Sequence, residues 1–150
     1  MATIQEKNAD VLNDLIQINN DRVTGYEKAA KETDVKDADL RSLFTGLAAD
    51  SRNNVSALSK YVQRAGGEPA EGTTASGKIY RAWMDVKATF SGKDRKAILA
   101  SCEFGEDAAQ KAYKQALTED LSTDVRDVIT EQQADLKKSH DKIKRLRDTQ

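Results

Sequence analysis

The chain has 150 residues, 38% of them apolar, 33% charged and 5% aromatic, with one proline, one cysteine and a formal net charge of −1. That length fits one domain able to close a core without staples or metal, and the near-neutral charge excludes a global field for drawing in nucleic acid or an anionic membrane. Few aromatics, one proline and abundant charge argue against a β-sandwich or a disordered tail and for an all-α chain of long amphipathic helices.

In chain order, the first helix is predicted from Thr3 or Asn8 to about Thr33. Leu12, Leu15, Ile16, Asn19, Val23, Tyr26, Ala29 and Ala30 recur at helical spacing and mark its inner stripe. Residues 34–39 read as a break, with Asp37 or Asp39 a suitable N-cap for the second helix. The inner face of that helix is Leu40, Leu43, Phe44, Leu47, Ser51, Val55, Leu58 and Val62, and Gly66-Gly67 ends it. GGEPAEGTTASG, residues 66–77, gathers glycine, the proline and small polar side chains and predicts an irregular connection.

In KIYRAWMDVKATF, residues 78–90, Ile79, Trp83, Val86 and Phe90 share a face and predict a short helix lying across the bundle. The stretch from Gly66 to Asp94 is too long for a tight turn between antiparallel helices and suits a crossover. A third long helix follows from Asp94 to about Glu119, with Ile98, Leu99, Cys102, Glu106, Ala109, Tyr113 and Ala116 on its stripe. Ser122 or Thr123 can cap the fourth, which runs to about Asp148 with Val125, Val128, Ile129, Gln132, Leu136, His140, Ile143 and Leu146 inward. The expected fold is a four-helix bundle of two antiparallel hairpins joined by the crossover.

A weak internal repeat supports the division into hairpins. A shift of 85 positions sets Asp39 on Asp124, Arg41 on Arg126, Thr45 on Thr130, Ala49 on Ala134 and Asp50 on Asp135, and a shift of 80 sets Gly25 on Gly105. Glycine in a helix interior costs about 1 kcal/mol relative to alanine, so Gly25, Gly46 and Gly105 call for close helix approach in compensation.

Glu106 shares its helix face with Cys102, Ala109 and Tyr113, which places a carboxylate among core residues. Such a group must be protonated, paired, hydrated or bound to a cation. Arg22 is the candidate partner, and Asn19 and Gln132 can complete a buried polar layer, while Glu103 lies nearer the edge of the stripe and reads as solvated.

A carboxylate-bridged dimetal centre in a four-helix bundle takes a Glu from each of two helices and Glu-x-x-His from each of the other two. The only histidine, His140, follows Lys137 at that spacing, so the motif is missing, and the expected cofactor is none. The alternative is a reduced site of Glu27, Glu103, Glu106 and His140 holding iron, manganese or zinc.

There is no phosphate-cradling loop, Cys-x-x-Cys pair or nucleophile beside histidine at a readable spacing. Cys102 reads as a small buried hydrophobe, and the basic run KKSHDKIKRLR, residues 137–147, as cations favoured at a helix C-terminus. The start MATIQEKNAD has neither the basic flank nor the apolar run of a secretory signal, so a cytoplasmic protein without membrane spans is expected. Partners would be a second copy or another protein, met through the Trp83 segment or an apolar helix face, and not nucleic acid.

LNDLIQINNDRVTGYEKAA at 12–30, LRSLF at 40–44, RAGGEP at 64–69, GKIYRAWMDVK at 77–87, AILASCEFGEDAAQKAYKQAL at 97–117 and SHDKIKRLRD at 139–148 together cover nearly the whole chain. On these residues it resembles a bacterial family of four-helix-bundle proteins in the ferritin-like superfamily, long carried as a domain of unknown function. The resemblance implies a ferritin-like fold, a bacterial cytoplasmic setting and a stress-related role, with no established reaction. Ferritins and rubrerythrin-like proteins bind di-iron through two Glu-x-x-His motifs, and this chain departs from both, so iron chemistry would rest on fold analogy alone.

Overall fold

A computed structural model of the chain describes residues 3–72 and 95–150. Among these residues are four α-helices and no strand: α1 (Ile4–Glu32), α2 (Ala38–Arg64), α3 (Arg95–Ala116) and α4 (Thr123–Asp148). A 3-10 turn, Val35–Asp37, fills the predicted break between α1 and α2. The short helix expected around Trp83 lies outside the described residues, as does most of the expected crossover.

Helix ends follow from local chemistry. Thr3 Oγ1 accepts the Glu6 N–H at 3.1 Å, which satisfies one of the donors left open at the start of α1. At the end of α2 the Gly67 N–H reaches Val62 O and the Gly66 N–H reaches Gln63 O, both at 3.0 Å. Gly66 takes φ +81°, the left-handed conformation that this cap requires. Asp37 and Ser122 hold the N-cap positions of α2 and α4, yet neither side chain accepts a backbone N–H of its own helix. Asp37 instead accepts Arg95 Nη1 at 2.8 Å, and the Ser122 hydroxyl accepts Asn8 Nδ2 at 2.8 Å. Both caps are diverted to tie one helical pair to the other.

Side-chain contacts fix the directions of the helices. Arg22 meets Ser51 and Asn19 meets Asn54, so α1 and α2 are antiparallel; Tyr113 meets Gln132 and Glu103 meets Arg147, so α3 and α4 are too. Across the pairs, Asn19 meets Tyr113 and Arg22 meets Glu106, which makes α1 antiparallel to α3. It follows that α2 and α3 run the same way, with Arg95 at the start of α3 beside Asp37 and Asp39 at the start of α2.

The predicted stripes face inward and form two apolar clusters. One gathers Tyr26, Leu40, Phe44, Leu99 and Ile143; the other gathers Leu12, Leu15, Ile16, Leu58 and Ile129. Each large side chain buried this way contributes about 1.5–3 kcal/mol. Tyr26 stacks on Phe44 with ring centroids 5.7 Å apart. No helix among the described residues is long and apolar enough to cross a membrane.

Two expectations are corrected. Gly46 is exposed, and a Cβ added there would meet nothing within 4 Å, so close helix approach does not account for it. Glu103 is not solvated: it is 8% exposed, because Arg147 from α4 folds over its carboxylate.

Candidate functional site

Between the two apolar clusters lie two linked sets of polar side chains. In the first, Arg22 Nη2 donates to Glu106 Oε1 at 2.6 Å and Arg22 Nη1 donates to Ser51 Oγ at 2.5 Å, while the Tyr26 hydroxyl donates to the same Glu106 oxygen. Arg22 and Glu106 are 1% and 0% exposed, so this is a fully buried ion pair. Burial disfavours the charged guanidinium, but the Glu106 carboxylate outweighs it and the Arg22 pKa lies above its ordinary value. Burial and then the Glu106 charge push the Tyr26 hydroxyl well above the usual tyrosine range, keeping it neutral and a donor. Arg22 Nε and Glu106 Oε2 are buried without a hydrogen-bond partner among the described residues.

The second set takes one residue from each helix. Asn19 Nδ2 donates to the Tyr113 hydroxyl at 2.8 Å, and that hydroxyl donates to Gln132 Oε1 at 2.8 Å. Asn54 Nδ2 donates to Asn19 Oδ1 at 3.2 Å, and Gln132 Nε2 reaches the Asn54 carbonyl at 3.4 Å. Burial raises the Tyr113 pKa above its ordinary value, against the opposing pull of the Asn19 bond and the Arg22 charge.

A separate group sits where α3 packs on α4. His140 Nε2 lies 2.6 Å from Asp107 Oδ1 and 3.9 Å from Glu103 Oε1, and Nδ1 lies 3.1 Å from Asp141 Oδ1. One ligand atom from each of Glu103, Asp107 and His140 falls within 4.8 Å of the others. Burial lowers the imidazole pKa, but the Asp141 bond, the charge and bond of Asp107 and the charge of Glu103 outweigh it, so the net shift is upward.

Of the residues singled out from sequence, Asn19, Arg22, Glu106 and Gln132 are all buried and belong to the two polar sets. Glu103 and His140 come together on the α3–α4 face, whereas Glu106 is engaged by Arg22 and Tyr26 in the interior. Glu27 joins neither group; it is 53% exposed and pairs with Arg52 at 2.5 Å. Sequence reasoning missed the polar roles of Tyr26, Ser51, Asn54 and Tyr113, and missed Asp107 altogether. The signal for Tyr26, Ser51 and Tyr113 was their place on the inner stripes, where a hydroxyl needs a partner. For Asp107 the signal was its spacing four residues after Glu103, which puts both carboxylates on one side of α3.

Within the basic run at 137–147, Lys137 pairs with Asp141 at 3.1 Å, and Arg147 pairs with Asp148 at 2.9 Å as well as with Glu103. No curated protein matches the chain. The family described as a domain of unknown function, DUF2383, matches residues 7–119, from the first turns of α1 to just past the end of α3, and the chain therefore belongs to that family.

Proposed function

We propose that the protein is a ferritin-like bundle with a closed centre, acting as a non-catalytic structural or interaction module. The ferritin-like reading is supported by the directions of the helices: antiparallel neighbours, with α2 and α3 parallel. The residues present do not fit the di-iron centre of such bundles. Glu106, the carboxylate at the centre, is already neutralised by the Arg22 guanidinium, a fixed cation that opposes the entry of metal cations. Glu27 is spent on the surface with Arg52, and His140 serves a different face. The buried Arg22–Glu106 pair is the observation that carries this reading.

A bacterial cytoplasmic setting and a role under stress accompany the resemblance as parts of the proposal. Phe104, 61% exposed on α3, is an apolar side chain available to a protein partner, including a second copy. A single-chain mass in solution would remove the second copy from the reading.

The test is aerobic oxidation of added Fe2+, followed by the absorbance of ferric iron. The expected rate equals that of protein-free buffer. Faster oxidation that disappears in Glu106→Gln would overturn the closed-centre reading.

A further inference from the structure

We propose that Glu103, Asp107 and His140 form a binding site for one divalent transition-metal ion of the zinc class, clamping α3 to α4. The inference goes beyond the closed-centre reading and uses none of Arg22, Tyr26 or Glu106.

The site is built from two helices. Glu103 and Asp107 stand four residues apart on α3 and so share a face, and His140 comes from the antiparallel neighbour α4. Around a tetrahedral ion with bonds of about 2.0–2.2 Å, the donors stand about 3.3–3.6 Å apart. The observed separations from Nε2, 2.6 Å to Asp107 and 3.9 Å to Glu103, bracket that value. Side-chain adjustment of less than about 1 Å at each acid reaches it.

Two further observations point to a ligand there. Glu103 is 8% exposed; Arg147 holds its Oε2, and its Oε1 lies 3.9 Å from His140 Nε2. A mostly buried carboxylate oxygen this near an imidazole nitrogen can share a cation with it. Asp141 engages His140 Nδ1, the arrangement that orients a metal-binding imidazole and leaves Nε2 for the ion.

Donor chemistry sets the class of ion. One imidazole and two carboxylates suit Zn2+, Mn2+, Fe2+ or Co2+, whereas Mg2+ and Ca2+ favour all-oxygen sets with more ligands. With three protein donors, water would complete the coordination. Together with Asp141 and Asp148, the two carboxylates outnumber the Arg147 and Lys137 cations by two charges, which matches a divalent ion.

The test uses the full chain stripped of metal with a chelator, then titrated with Co2+ by visible absorption and with Zn2+ by calorimetry. Expected are one ion per chain, a loss of affinity of about tenfold or more in His140→Gln and in Asp107→Asn, and no change in Glu27→Gln. Zn2+ should also raise the melting temperature of the wild type and not that of Asp107→Asn. Because Asp107 is half exposed, that variant keeps the fold and decides the matter if His140→Gln does not. The proposal is overturned by absence of saturable binding, by binding undiminished in both variants, or by Mg2+ binding as tightly as Zn2+.

Discussion

Glu106 concentrates the energetics of the interior in one side chain. Removing only one member of a buried ion pair leaves a charge uncompensated and costs about 3–5 kcal/mol, whereas replacing both with apolar groups is often neutral or stabilising. Arg22→Met and Glu106→Leu should each lower the stability measured in urea by about that amount, and the double variant should recover more than half of the summed loss. Strict additivity would mean that the two side chains do not act as a pair. The unpartnered Arg22 Nε and Glu106 Oε2 favour strong recovery, since each carries a desolvation cost of about 1–3 kcal/mol that the double variant removes.

The buried tyrosines set the behaviour at high pH. Tyr26 and Tyr113 both have folded pKa values above the ordinary tyrosine value. Their contribution is therefore complete below the unfolded value of about 10 and falls as pH rises toward the folded values. Each should add about 1.4 kcal/mol of lost stability per pH unit in that window, so denaturation midpoints should drop more steeply above about pH 10 in the wild type than in Tyr113→Phe. Equal slopes would contradict the assignment. That Glu106 needs a partner was legible from its stripe. That Tyr26 and Ser51 share the load was not, because it depends on how three helices are rotated against one another.

At the scale of the element, hydrophobic periodicity located all four described helices, and the ends agreed to within a few residues because caps and glycines are local signals. The 3-10 turn at Val35–Asp37 and the diverted caps escaped, since Asp37 and Ser122 answer to Arg95 and Asn8 from distant parts of the chain. The weak repeat has a physical counterpart. Arg41 Nε donates to the Ala30 carbonyl at 3.1 Å, while Arg126 donates to the Leu117 and Glu119 carbonyls at 2.7 Å, so each arginine closes the end of the helix before it. Thr45 and Thr130 in turn bond the carbonyls of Arg41 and Arg126. The same two shifts set Glu27 on Asp107 and Arg52 on Lys137, yet only the first couple forms a salt bridge; Asp107 turns to His140 instead. The two hairpins thus differ where the proposed metal site lies.

Gly46 belongs to this scale as well. It sits inside α2 with open space beyond its Cα, so a methyl group costs nothing in contacts and restricts the unfolded chain. Gly46→Ala should stabilise the protein by up to about 1 kcal/mol, visible as a higher urea midpoint with an unchanged slope. A loss of stability would mean that the glycine serves a contact in an assembly.

For the molecule as a whole, polar ties among the described residues join the hairpins at specific places: Asn8 with Ser122 near one end, Arg95 with Asp37 and Asp39 near the other, and the polar sets between. The number of helices and their inward faces were readable in the sequence because they depend on spacing within each segment. The composition of the candidate site was only half readable. Glu103 and His140 stood out as residue types, but which acids join them depends on the longitudinal alignment of α3 and α4, and periodicity carries no such alignment. The hydrogen-bonded belt at mid-height supplies it. Greasy surfaces tolerate sliding by a turn, because one aliphatic contact replaces another at little cost. Asn19, Asn54, Tyr113 and Gln132 meet donor to acceptor around all four helices, and slippage of any one rod would strand several of them at once.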